Sequence, residues 1–184
     1  MTVIASRGQL RASFVRWALL IVPAVCLAGF LSGRLSGSAA ANPWFAALDK
    51  PAIYPPPATF PIVWGVLYVM MGVALTIVVT ARGARGRGLA VAAFLVQLAL
   101  NLAWSPTFFG AHPIAAALWL LVALDVALIV TVALFWRVRT AAALLLLPYL
   151  AWTLFATVLT WQVLQLNPDA DGAATRANTT RIEL

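Results

Sequence analysis

The sequence predicts an all-α integral membrane bundle of five transmembrane helices, and three observations carry that reading. The 184 residues are 64% hydrophobic and only 9% charged, whereas a soluble domain is about 45–50% apolar and 25% charged. Mean hydropathy is +0.97. The apolar residues also gather into five stretches, each matching the roughly 20 residues needed to cross a hydrocarbon core of about 30 Å. So little polar surface cannot clothe a water-soluble globule, and the same composition excludes a disordered chain.

The spans are expected at 14–35, 60–80, 89–109, 114–136 and 140–165, within a transmembrane domain 14–166. A cytoplasmic segment 1–13 precedes them and a polar, disordered tail 167–184 follows. The first span has a rival: Arg-rich residues before 17–31 and Ser38-Ala39-Ala40-Ala41 after it resemble a signal peptide with its cleavage site. Gly29, Gly33 and Gly37 recur every fourth residue, a spacing that lets membrane helices approach closely, and favour a retained helix. Loop 36–59 carries Pro43, Pro51, Pro55, Pro56 and Pro57, and a long ordered connection of this kind is often a lid. Arg82-Gly83-Ala84-Arg85-Gly86-Arg87-Gly88 separates the second span from the third. Gly110-Ala111-His112-Pro113 and Arg137-Val138-Arg139 are so short that the third, fourth and fifth spans must be antiparallel neighbours.

Twelve Lys+Arg oppose five Asp+Glu, for a net charge of +7. The arginines sit in short groups between apolar runs, a pattern of membrane loops and not of a nucleic-acid surface. Arg7, Arg11, Arg16, Arg82, Arg85, Arg87, Arg137 and Arg139 fall on one side of a five-span bundle. That places the N-terminus in the cytoplasm, with loop 36–59 and the C-terminus in the periplasm. All-helical spans point to a bacterial inner membrane. Cys26 reads as an apolar packing residue, and with His112 as the sole histidine no metal site is expected.

On this topology the polar and aromatic residues converge. Trp64 and Tyr68 share one face of the second span, as do Gln97, Asn101, Trp104 and Ser105 of the third, with Phe108 beyond. Buried amides need partners, so this stripe should face the interior. The fourth span adds Trp119, and the fifth adds Trp152, Ala156 and Thr160. Together they suggest an aromatic, weakly polar cavity beneath loop 36–59. The plainer alternative is that the amides merely join helices and the tryptophans anchor at the interface. Trp17, Trp136 and Trp161 fit the anchoring role. Asp125, near the middle of the fourth span, is either a proton relay or a neutral or amide-bonded group inside the bundle. No acid–base set for hydrolytic catalysis is visible.

These residues resemble the TspO family, the tryptophan-rich sensory proteins and translocator proteins. The resemblance runs from about Pro23 to Asn167 and is carried by Trp44-Phe45, Leu48, Lys50-Pro51, Pro55-Pro56, Phe60-Pro61, Trp64 and Leu67-Tyr68. It continues through Gln97-Leu98, Asn101, Trp104, Phe108-Phe109-Gly110, Pro148-Tyr149-Leu150-Ala151-Trp152 and Phe155-Ala156-Thr157. It implies a homodimeric five-helix receptor or carrier for tetrapyrroles such as protoporphyrin or haem, with no required cofactor. By the family pattern Trp64 and Trp152 stack on the porphyrin, Ala156 lines the site, and Tyr68, Asn101 and Trp104 border it. Arg34 and Lys50 are then the cations for ring propionates. The resemblance also admits light-dependent porphyrin breakdown, with Trp64 and Trp152 as electron donors, or non-catalytic stress signalling. Residues 158–167 hold neither Tyr nor Lys/Arg, so the sterol-recognition pattern is missing.

Overall fold

The computed structural model describes residues 6–37 and 42–172. The alanine-rich candidate cleavage site at 38–41, residues 1–5 and the tail from 173 onward lie outside the described residues. Six α-helices follow in order: α1 (Arg7–Leu35), α2 (Pro43–Ala47), α3 (Thr59–Val79), α4 (Arg87–Ser105), α5 (Ile114–Val138) and α6 (Thr140–Leu166). Five of them are long and apolar enough to cross a membrane; α2 is a five-residue helix within the lid. The five predicted spans are all present.

α1 begins earlier than the apolar pattern alone indicates, because Ser6 and Gln9 form a reciprocal capping box. It continues through Pro23. Of its spaced glycines, Gly29 receives the ring of Tyr68, whereas Gly37 lies past the helix end. A Cβ on Gly37 would meet only the Asn42 Nδ2; on the facing side, a Cβ on Gly72 of α3 would sit 2.8 Å from the Val22 Cα. α1 therefore packs chiefly on α3.

α4 ends for a local reason. Pro106 has no N–H to donate to the Leu102 carbonyl four residues earlier. That carbonyl instead accepts the Ser32 hydroxyl of α1 at 2.6 Å. Past Pro106 the chain widens into a π-helical turn, Pro106–Ala111. His112 then takes a left-handed conformation, φ 66°, before α5 starts. α5 and α6 are separated by Arg139 alone, in extended conformation. α4, α5 and α6 are consecutive neighbours, and α6 closes back on α3.

The main core runs between these helices, from Leu67, Met71 and Ala74 of α3 through Phe94 of α4 to Phe135, Leu146 and Tyr149. A second, smaller core lies at the lid end, around Trp44, Leu48, Phe108, Ile114 and Val163. Hydrophobic side chains such as Leu19, Ile62, Val96 and Val126 cover the outside. In lipid that exterior carries no penalty. Trp136 and Trp161 are about half exposed toward the ends of α5 and α6, and Trp17 is similarly exposed well inside α1.

The segment after α6 is not loose at its start. Pro168–Ala170 form a 3-10 turn, and Gly172 donates its N–H to the His112 carbonyl at 3.1 Å. Asp171 accepts from the Ala115 N–H at 3.0 Å, capping α5 from a distant part of the chain.

Candidate functional site

The predicted aromatic and amide residues form two adjoining layers, not one chamber. The deeper layer lies where α3 faces α6. Trp64 stacks on Tyr68 at 5.3 Å and meets Tyr149 edge-on at 6.1 Å. Phe60, one turn before Trp64, meets Trp152 edge-on at 5.8 Å, and Trp152 touches Phe155. Both tryptophans are half-buried and packed against the core. Ala156 is half-buried one turn beyond Trp152, and Thr160 is buried a turn further on.

Two phenol–amide bonds tie this layer to α4. Tyr68 donates to Asn101 Oδ1 at 2.9 Å, and Tyr149 donates to Gln97 Oε1 at 3.0 Å. Gln97 is fully buried and Asn101 nearly so, so the α4 stripe faces inward as its spacing predicts. The Gln97 Nε2 is buried with no hydrogen-bond partner among the described residues, and so is the Trp104 Nε1. Orphaned donors in an apolar interior cost free energy and favour a ligand or water that brings acceptors.

The outer layer is the lid. Trp104 stacks on Phe108 at 5.0 Å, a pairing one turn apart that the π-helical turn brings into register. Trp44 of α2 packs edge-on against Phe108 and stacks on His112 at 4.3 Å. Phe45 touches Phe108 and Phe109. Trp104 and Phe108 thus hold the lid. Tyr54 bridges the layers, with Phe45 at 6.0 Å on one side and Phe60 at 5.5 Å on the other. Partial burial pushes the Tyr54 phenol pKa upward.

The lid is clasped to the end of α6. Asn167, just past α6, accepts the Asp49 N–H at 2.8 Å and donates to the Asp49 carbonyl at 2.9 Å. One amide side chain therefore satisfies both backbone groups of a lid residue. Lys50 is turned inward on the lid: its ammonium donates to the Phe45 and Leu48 carbonyls at 2.9 Å and sits 4.9 Å from the Phe45 ring centre. Its donors serve the C-terminal carbonyls of α2, so Lys50 is engaged by the lid's own fold. Arg34 is exposed at the lid end of α1, 5.9 Å from the Phe30 ring centre, and remains the available cation.

Trp119 requires a correction. It is 71% exposed and points away from both layers. The buried face of α5 is set by Ile114, Ala117, Leu121, Leu124, Asp125 and Leu128, and residue 119 falls on the opposite side of a 3.6-residue period. With Leu118, Val122, Thr157, Val158 and Trp161 it lines a shallow apolar groove on the outside of the bundle.

Asp125 is buried, and its Oδ2 accepts the Thr157 hydroxyl of α6 at 2.7 Å. Its Oδ1 is buried and unpartnered among the described residues. The sequence reading gave no role to Tyr149, Phe60, Tyr54, Thr157 or Asn167. Phe60, Tyr149 and Thr157 stand within the motifs that carry the family resemblance, and Tyr149 is also an isolated hydroxyl in an apolar run; Tyr54 carried no such signal.

The chain is similar in sequence to known proteins. Residues 20–166 match the TspO/MBR family. The chain belongs to that family. The tryptophan-rich protein TspO of Chlorobaculum tepidum is 39% identical over 145 residues, covering 78% of this chain and 92% of that protein. The translocator protein of Sus scrofa is 38% identical over 148 residues, covering 79% and 87%. Protein CrtK of Rhodobacter capsulatus is 35% identical over 134 residues, covering 68% and 79%. The TspO/MBR match spans α3 to α6 and most of α1, so both aromatic layers and the lid lie inside it. Membership in the TspO/MBR family and five apolar helices of spanning length make this an integral membrane protein.

Proposed function

We propose that this protein is a membrane receptor or carrier for a flat, largely apolar tetrapyrrole held between α3 and α6 beneath the lid. The observation that carries the reading is the set of rings from separate helices: Trp64, stacked on Tyr68, against Tyr149, and Phe60 against Trp152. The unpartnered Gln97 Nε2 is on the side chain that accepts from Tyr149, and the unpartnered Trp104 Nε1 is in the outer layer. Aromatic faces suit a macrocycle, and two orphaned N–H groups suit its carbonyl or carboxylate acceptors. Arg34 is the cation best placed to meet a propionate at the lid end.

The rings now fill the space by touching one another, so a macrocycle must part them. Phe60 and Trp152 are the pair to separate, because their edge contact closes the gap between α3 and α6. Lifting the lid frees Tyr54 from Phe60 and opens the same gap. The reading places the arginine-rich turns in the cytoplasm and the lid on the opposite side, in a bacterial inner membrane.

Quenching of tryptophan fluorescence by protoporphyrin tests the proposal. The Trp64→Ala, Trp152→Ala double variant should bind about tenfold more weakly, as the loss of two ring contacts implies. Trp119→Ala should bind like the parent. Equal affinity in parent and double variant overturns the site.

A further inference from the structure

Opposite the lid, the α3–α4 and α5–α6 turns lie at the same end of the bundle, where α3 packs on α6 and α4 on α5. Ala81, Val138 and Ala142 border the same main core, with Ala84 packed against it. These turns present Arg82, Arg85 and Arg87 on one side and Arg137 and Arg139 on the other. Three of the guanidiniums have neutral acceptors within reach. Arg82 donates to the Ser13 hydroxyl at 3.4 Å, Arg87 to the Val79 carbonyl at 3.4 Å, and Arg139 to the Val138 carbonyl at 3.0 Å.

Nothing acidic lies at this end among the described residues. Among the described residues the carboxylates are Asp49, Asp169 and Asp171 at the lid end and Asp125 within α5. The 21 residues of α3 separate the two ends by about 30 Å at 1.5 Å per residue. α4 also begins on Gly86, φ 79°, with no side-chain cap and no acidic residue in its first turn, so its leading N–H groups add to the positive field. A cluster of guanidiniums with no internal counter-charge favours an external anion, which charge-assisted hydrogen bonds would hold.

We propose that these two turns form a binding surface for the headgroups of anionic phospholipids in the surrounding membrane, gathered by Arg82, Arg87 and Arg139. The partner is a phosphodiester at the membrane surface, because the turns cap apolar helices and face the depth at which headgroups lie. Each of these guanidiniums keeps further N–H donors in a fixed fork.

The test uses the whole protein in vesicles of mixed phosphatidylcholine and phosphatidylglycerol with spin-labelled lipids. The protein-bound lipid fraction should favour phosphatidylglycerol by at least about threefold at 0.1 M salt and lose that preference toward 1 M, where charges are screened within about 3 Å. Replacing Arg82, Arg87 and Arg139 together by Gln should bring the preference close to one while helicity stays unchanged. Should that variant fail to fold, the salt titration of the parent decides alone. No preference in the parent, a preference indifferent to salt, or one retained in the folded variant overturns the proposal. Capture of a soluble acidic protein without any lipid preference overturns it as well.

Discussion

The Tyr68 ring of α3 occupies the space in which Gly29 of α1 lacks a side chain, and its hydroxyl reaches Asn101 of α4 at 2.9 Å. Three helices are therefore registered through one glycine. A methyl group at position 29 must displace the ring, and with it the bond to Asn101. Gly29→Ala should destabilise the protein by about 1–3 kcal/mol, the usual cost of overpacking. Gly65 is the control, since a Cβ there meets nothing within 4 Å. Gly65→Ala should be neutral or mildly stabilising, through helix propensity. Thermal unfolding in detergent distinguishes the two.

The Tyr149–Gln97 bond should behave asymmetrically. Both residues are fully buried, and Gln97 already carries an unpaired Nε2. Tyr149→Phe leaves the Gln97 oxygen unpaired too, at a cost of about 1–3 kcal/mol. Gln97→Leu combined with Tyr149→Phe removes the stranded polar groups and should recover most of that loss. A double-mutant cycle on unfolding midpoints measures the coupling.

Period and composition made the five spans legible, because lipid demands long apolar helices whatever else the chain does. The inward face of α4 was legible for the same reason: Gln97 and Asn101 are costly anywhere else. Trp119 misled because a tryptophan in a span reads equally as a pocket wall or a lipid-facing ring, and only the buried face of α5 decides. The lid was invisible beyond its prolines. Asn167 meets Asp49 across 118 positions, and no local pattern encodes such a contact. Lys50 looked like a free cation because nothing in the sequence shows that three carbonyls of a short helix surround it.

The Asn167 clasp predicts a local effect. Asn167→Ala removes both bonds to the Asp49 backbone, worth about 0.5–1.5 kcal/mol each. Hydrogen exchange of the Asp49 amide should rise about tenfold or more on that basis. Amides in the middle of α3 should exchange as in the parent, since the Asn167 side chain bonds the lid and, through the Val163 carbonyl at 2.8 Å, its own end of α6. Uniform acceleration throughout would point to global destabilisation instead.

Asp125 of α5 is buried beside Thr157 of α6. Its only hydrogen bond among the described residues is the one from Thr157, so the pair joins α5 to α6. Thr157→Val keeps the shape but strands a buried acid, and should cost about 1–3 kcal/mol or more. Asp125→Asn keeps an oxygen to accept the Thr157 hydroxyl and should hold nearly parental stability. Replacing both, Asp125→Leu with Thr157→Val, should restore what the single Thr157→Val change loses, because no buried polar group is left without a partner. A structural link requires this pattern and leaves protoporphyrin affinity unchanged in Asp125→Asn. A proton relay requires the opposite: a stable Asp125→Asn protein whose ligand handling has lost its pH dependence. Unfolding midpoints and porphyrin titrations at two pH values, run on the same three variants, separate the alternatives.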